Sequence, residues 1–292
     1  MLAEGEVEVL RPEAPGLTKR DHDRGVKLAC QCQPRSDCVV KVLIGAEYVP
    51  LIRPRRFTAQ FIEAREVTHD MREFTFHETE PADFRPGQYS LIRLEGVKGL
   101  RAYSMSNIGN ADGYWSFVIR RVPNGAATSL LLDHLKPGDD ISLDGPYGLA
   151  YLRNDSPRDV VCIAGGAGLS PMLSIARGMA RESALDGRRL HFFFGGREPR
   201  DICGEASLND IAELRSRTFY HASISAPESD VEGEWIGERG FVHDLVAKKL
   251  AGDFKEYEYY LAGPPLMIQA VLKLLMFDHK VPREQIHYDR FF

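Results

Sequence analysis

Hydrophobic and polar residues alternate with a period of two through six short runs between residues 57 and 147: FTAQFIEAREVT, MREFTFHE, GQYSLIRL, RAYSMSN, YWSFVIRRV and DDISLDGPYG. Such alternation puts every second side chain on one face of a strand, and turn residues separate each run from the next. Strands this short and this evenly spaced predict a small antiparallel barrel. One helical stretch interrupts them: TSLLLDHL, predicted to start with Thr128 as its N-cap and to stop before Lys136-Pro137-Gly138.

From Pro157 onward the rhythm changes. Continuous apolar runs (DVVCIAG, LHFFFGG, TFYHASIS, EYYLAGPP, QIHYDRFF) alternate with helical stretches such as SPMLSIARGMARES and PLMIQAVLKLLMFDH. That alternation predicts a parallel sheet wrapped by helices. Residues 149–158 (LAYLRNDSPR) are the expected hinge, and the first fifty residues follow neither pattern. The expected divisions are a segment at 1–48, a barrel domain at 54–150 and an α/β domain at 156–292.

Composition agrees with more than one folded domain. The chain has 292 residues, 43% of them apolar and 27% charged, which is enough for a sizeable core and more than a single core usually holds. The longest apolar stretch, VVCIAGGAGLSPML, is broken by glycines and falls short of the roughly 18 residues a membrane span needs. MLAEGEVEVL has neither the basic start nor the apolar run of a signal peptide, so the cytoplasm is the expected compartment and no membrane partner is expected. A net charge of -5, with no basic run interleaved with aromatics, gives nucleic acid no electrostatic footing. Five cysteines, with Cys162 and Cys203 isolated, do not read as a disulfide framework.

Candidate chemistry gathers at glycine turns. Gly165-Gly166-Ala167-Gly168-Leu169-Ser170-Pro171 follows a predicted strand and opens a predicted helix, where unpaired N–H groups favour phosphate. A bare glycine-rich turn is a weak signal, but two more strands end at Gly195-Gly196-Arg197 and at Ala262-Gly263-Pro264-Pro265-Leu266-Met267. Three such turns should crowd the carboxyl edge of one parallel sheet, where open sheets bind ligands. In the barrel half, alternation along RAYSMSN puts Arg101, Tyr103, Met105 and Asn107 on one face and Ser104 and Ser106 on the other. A guanidinium matches a pyrophosphate, an aromatic plane can stack on a flat ring, and a hydroxyl can bond a ring nitrogen. The plainer alternative is an edge strand with a surface arginine.

RAYSMSN, NGAATSLLLDHLKPGD, GGAGLSP, FFFGGREPRD, LAGPPLM and the terminal HYDRFF, in this order, resemble the ferredoxin-NADP reductase superfamily. Within it the resemblance is to reductase components of multicomponent bacterial oxygenases, of the toluene and phenol monooxygenase type. It implies an antiparallel FAD-binding β-barrel followed by a parallel-sheet NAD(P)-binding α/β domain, after a short partial ferredoxin-like segment. Arg101 would meet the FAD pyrophosphate, Tyr103 the flavin and ribityl chain, and Ser104 the flavin N5, with Ala102 and Ile119 beside them. Gly125, Ala126, Ala127 and Thr128 would form the second phosphate segment. Gly166, Gly168 and Pro171 would form the pyridine-nucleotide loop, joined by Gly196 and Arg197, with Gly263, Pro264 and Met267 near the nicotinamide. Ser104, Asp289 and Phe291 would be the catalytic set, with Tyr288 and Phe292 as the alternatives to Phe291 for the aromatic that meets the flavin. Relatives often carry a cysteine where this chain has Ala262.

The implied activity passes electrons from NADH through FAD to an oxygenase hydroxylase component, a separate ferredoxin or both, from a monomer. Arg197 could approach a 2'-phosphate, so NADPH is the alternative donor, but Glu198 and Asp201 oppose added negative charge and NADH is expected. A FAD- and NADH-binding regulatory or scaffold subunit without turnover is the other class of function considered. EGEVEVLRPEAPGLTKRDHDRGVKLACQCQP resembles the second half of a 2Fe-2S ferredoxin domain, in which Cys30 would be the fourth ligand and the other three would precede Met1. With three of four ligands absent, a 2Fe-2S cluster is not expected unless the native gene starts upstream of Met1. The trio Cys30, Cys32 and Cys38 is read first as this remnant, second as plain thiols, and third as a zinc site with His22, whose spacing it fits poorly.

Overall fold

The computed structural model describes residues 2–291 apart from 11–18, 30, 31, 43, 44, 46–48, 231, 232, 234 and 251. The chain divides into two units, residues 1–51 with 292, and residues 52–291. In the first, β1 (Leu2–Glu4) pairs antiparallel with β4 (Val39–Val40), and β2 (Val7–Val9) with β3 (Cys32–Pro34). A short helix, α1 (Lys19–Asp23), lies between the two halves of these pairs in the chain. Cys32 is half-buried within β3, and the Cys38 thiol donates to the carbonyls of Ser36 (3.2 Å) and Glu6 (3.5 Å). Cys30, the expected cluster ligand, lies outside the described residues.

The second unit begins with six antiparallel strands: β5 (Arg55–Thr68), β6 (Met71–His77), β7 (Tyr89–Arg93), β8 (Arg101–Ser104), β9 (Tyr114–Arg120) and β10 (Asp140–Tyr147). Their spatial order is β8-β7-β10-β5-β6-β9. The period-two pattern explains the core, because Ala59, Phe61, Phe74, Phe76, Ile92, Trp115, Phe117, Ile141 and Leu143 all point to one buried interior. The edge strands β8 and β9 close the barrel where Met105 bridges Phe117 and the Ser106 N–H donates to the Ser116 carbonyl at 2.7 Å. Glu78, buried at the barrel end, accepts from the Trp115 indole (2.9 Å) and from the Arg55 guanidinium, which satisfies a charge that would otherwise be costly to bury.

Between β9 and β10 runs α2 (Ala126–Ser129), which continues directly into a π-helical turn at Leu130–His134. Its N-cap is Gly125, so the expectation of a cap at Thr128 is corrected. Thr128 is buried inside the first turn, and its hydroxyl reaches back to the N–H and carbonyl of Val122 and the carbonyl of Gly125. The hydroxyl ties the incoming loop down rather than capping the helix, because glycine supplies the extended entry one turn earlier.

Six parallel strands follow: β11 (Asp159–Gly165), β12 (Leu190–Gly196), β13 (Thr218–Ile224), β14 (Glu238–Arg239), β15 (Tyr257–Gly263) and β16 (Ile286–Arg290). Helices α3 (Leu169–Arg181), α4 (Glu205–Asn209), α5 (Val242–Lys249) and α6 (Pro265–Leu272) lie between them in the chain. The strand order is β14-β13-β12-β11-β15-β16. Both sheet faces are covered: Phe192 and Phe194 pack on the side of α3, and Phe193 on the side of α5 and α6. This is why LHFFFGG reads as an unbroken apolar run instead of an alternating one.

Candidate functional site

The strand order reverses between β11 and β15, since the chain moves outward from β11 in one direction and returns to place β15 on its other flank. Ligands of open parallel sheets bind at such a switch point, outside the carboxyl ends of the strands. Both strands end here in glycine. A Cβ on Gly168 would sit 2.0 Å from the Ala262 carbonyl oxygen, and Gly263, at φ +153, would drive a Cβ to 2.7 Å from Met267 Cε. Glycine is thus required at 168 and 263, where the two turns press against one another. Gly165, Gly168, Gly263, Pro264 and Met267 are thereby brought together, with Gly166 in the same turn and Pro171 buried in the first turn of α3. Gly196 ends the neighbouring strand β12, and the backbone N–H groups of Arg197 and Glu198 both donate to Asp201 Oδ2 (3.0 and 3.2 Å). Arg197 itself is exposed.

The last strand completes the rim. Asp289 pairs in register with Ala262, and the Phe291 N–H donates to the Gly263 carbonyl at 3.1 Å. Burial pushes the Asp289 carboxyl up to about 6. The Phe291 ring packs on the core beneath α3, while Phe292 lies outside the described residues.

On the barrel side, Arg101 and Ala102 are exposed and Tyr103 is half-buried against the core. The Arg101 guanidinium contacts two backbone carbonyls, of Leu100 (3.1 Å) and Lys98 (3.3 Å), which leaves its charge unspent on any carboxylate among the described residues. Burial raises the Tyr103 hydroxyl to about 12, with Arg101 pulling slightly the other way, so the ring stays neutral. The strict two-face alternation expected for RAYSMSN stops at Ser104. Ser104, Met105 and Ser106 are all buried, because beyond Ser104 the strand lies between the barrel interior and helix α3. Ile119 is fully buried in the barrel core, so its side chain takes no part in the exposed surface. Gly125 leaves the start of α2 without a side-chain cap, and a Cβ there would meet Thr128 Oγ1 at 2.8 Å and Val122 Cβ at 2.9 Å. A cation, an aromatic face, a buried serine and a glycine-started helix fit a flavin dinucleotide.

Two residues that sequence reading missed join the halves. Arg120, at the end of β9, leans over the glycine turn, bonds Asp70 Oδ2 through Nε (2.6 Å) and lies 3.7 Å from Asp201 Oδ1. Ser170, buried in the first turn of α3, bonds both β8 and β9. The doubled arginine at the end of YWSFVIRRV was the one available signal for Arg120, and an ordinary helix serine gives none.

An antiparallel barrel that presents Arg101-Ala102-Tyr103-Ser104 beside the switch point of a parallel sheet defines a flavin- and nicotinamide-dependent oxidoreductase. Residues 58–151 match the family described as oxidoreductase FAD-binding domain, and residues 162–273 the oxidoreductase NAD-binding domain. The chain is 40% identical over 293 residues to the ferredoxin–NAD(P)(+) reductase CarAd of Metapseudomonas resinovorans, covering 100% of this chain and 86% of that one. It is 33% identical to the ferredoxin–NAD(+) reductase component of the alkene monooxygenase system of Xanthobacter autotrophicus, with 99% and 86% covered. Among solved structures, the ferredoxin reductase in carbazole 1,9a-dioxygenase superposes with a TM-score of 0.86 at 38% identity, covering 100% of this chain and 84% of that one. The chain belongs to the family of FAD- and NAD-binding ferredoxin reductases, and it is an NAD(P)H-dependent oxidoreductase.

Proposed function

We propose that this reductase draws its electrons from NADH in preference to NADPH and delivers them to the ferredoxin or hydroxylase component of a multicomponent oxygenase. The observation that carries this reading is the meeting of the two halves: the Gly166–Gly168 turn at the switch point packs against barrel strand β9. Bound FAD supplies the chemistry that takes a hydride from the nicotinamide and releases electrons one at a time. The chain supplies alignment. Arg101 and the start of α2 at Gly125, Ala126, Ala127 and Thr128 would hold the flavin pyrophosphate. Tyr103 would give the flavin a neutral aromatic face, and Ser104 would offer it a hydroxyl. Gly166, Gly168 and Pro171 would take the nucleotide pyrophosphate, and Gly263, Pro264 and Met267 would flank the nicotinamide. Asp289 and Phe291 close the rim from the last strand.

The preference for NADH follows from the end of β12. Asp201 and Glu198 are held there by backbone and side-chain bonds, including Arg200 Nε to Glu198 Oε2 at 2.7 Å, so Arg197 has two carboxylates for neighbours. A 2'-phosphate would have to enter between fixed negative charges. The partner class comes from the printed roles of the relatives in alkene monooxygenase and carbazole dioxygenase systems. Reduction of cytochrome c by the FAD-loaded protein, with NADH and NADPH compared at equal concentration, tests both parts. Turnover with NADH at least about tenfold above NADPH is expected, a difference of about 1.4 kcal/mol. No turnover with FAD bound would remove the reductase reading, and equal rates would remove the preference.

A further inference from the structure

Helix α3 carries Ser170, Ser174 and Arg177 at spacings of four and three, so the three share one face. That face meets the barrel through a row of polar bonds. The Ser174 hydroxyl donates to the Asn107 carbonyl (2.5 Å) and accepts the Gly87 N–H (3.3 Å). Arg177 donates to the Ser106 carbonyl (2.7 Å) and to Glu73 (3.3 Å). Ser170 differs from both in what it joins. Its Oγ–H donates to the Ser104 carbonyl at 2.7 Å while its oxygen accepts the Val118 N–H at 3.0 Å.

Ser104 ends β8 and Val118 lies in β9, the two edges of the barrel sheet. These edges touch at Ser106 with Ser116 and at Met105 with Phe117. Continued one residue further, the same antiparallel register sets Ser104 opposite Val118, where an N–H to carbonyl bond would form the next rung. Ser170 occupies that rung. A hydroxyl from the nucleotide half is spliced between the carbonyl and the amide, and it donates and accepts at once, as only a hydroxyl among small side chains does well. Ser170 is 1% exposed and Ser104 is 5% exposed, so no bulk water competes for either bond.

We propose that Ser170 is a positioning residue for hydride transfer. Its spliced hydroxyl keys the nucleotide turn at Gly166–Gly168 to the flavin strand at Ser104 and thereby sets how closely donor and acceptor approach. The proposal rests on the reductase reading. Ser170 stands two residues past Gly168, at the start of the same helix, so the two bonds transmit little play between turn and strand. Placement errors of about 1 Å can cost about a hundredfold in rate, so a bond that fixes this spacing bears on the chemical step and not only on stability.

The test compares S170A and S174A with the wild-type holoprotein in anaerobic stopped-flow reduction by NADH, together with backbone amide hydrogen exchange of the cofactor-free proteins. S170A should slow flavin reduction at saturating NADH at least about tenfold, with KM changed less than about threefold. It should also weaken the long-wavelength absorbance of the reduced flavin with NAD+, and speed exchange of the Val118 amide. S174A loses a comparable bond one turn away and should melt earlier, yet keep the wild-type reduction rate and Val118 protection. Wild-type reduction by S170A, or equal slowing in S170A and S174A, would overturn the proposal. If S170A does not retain FAD, S170C takes its place: slowed reduction with faster Val118 exchange supports the keying role, and an unchanged rate refutes it. A wild-type protein that NADH does not reduce would instead sink the reductase reading, as the wild-type trace alone would show.

Discussion

A Cβ on Gly166 would lie 3.0 Å from Nη1 of Arg120, so an arginine of the flavin barrel overhangs the glycine turn of the nucleotide sheet. The two halves therefore contribute to one surface. Arg120 is oriented by Asp70 and faces Asp201, a cation held over a turn suited to phosphate. Replacing it, Arg120→Ala, should raise KM for NADH about tenfold or more while leaving FAD affinity within about twofold, since a bound pyrophosphate loses a charge-assisted partner. Steady-state kinetics alongside FAD titration of the apoprotein separates the two effects. Weakened FAD binding with unchanged KM would count against this role.

The neighbouring glycines should fail differently. At Gly168 an added Cβ meets the Ala262 backbone at 2.0 Å, so Gly168→Ala must displace the end of β15. At Gly166, with φ +55, the contact is the far end of the flexible Arg120 side chain. Gly166→Ala should cost about 1 kcal/mol in stability from the left-handed conformation. Gly168→Ala should cost several times as much, and it should abolish NADH binding. Thermal melts of the two variants, read against wild type, check the ordering.

Asp289 predicts a pH dependence of stability. Burial raises its carboxyl from the ordinary 3.8 to about 6, so the folded protein holds a proton that the unfolded chain releases. Its contribution is fully present below about pH 4 and is lost as pH rises through about 6. Asp289→Asn, which carries no charge to desolvate, should therefore be more stable than wild type at pH 8, by at most about 3 kcal/mol, and the gap should narrow toward pH 5. Melting of the cofactor-free proteins across this range decides it, and a gap that widens on acidification would show that another group dominates.

Glu78 should matter for the barrel and not for the nucleotide. Its carboxylate takes the Trp115 indole N–H and the half-exposed Arg55 guanidinium. Glu78→Ala leaves a buried indole unpaired and should lower unfolding stability by about 2–3 kcal/mol. KM for NADH should stay within about twofold. Urea denaturation and steady-state kinetics of the same preparation test both halves of the statement.

Local pattern determined much of this protein. Period-two alternation placed the six barrel strands because each must turn one face inward, and unbroken runs such as DVVCIAG and LHFFFGG marked strands covered on both sides. Glycine turns marked the sheet edge, and at Gly168 the close approach of the Ala262 backbone leaves no room for a larger residue. Thr128 was misplaced as a cap because a threonine near a helix start has the same sequence signature whether its hydroxyl caps the helix or ties down the loop before it. Tertiary structure alone decided the rest. That Ser170 enters the rung between Ser104 and Val118, and that Arg120 reaches Gly166, depends on segments more than forty residues apart meeting in space. A local pattern reports which face a residue presents, and it takes the packed fold to say what that face meets.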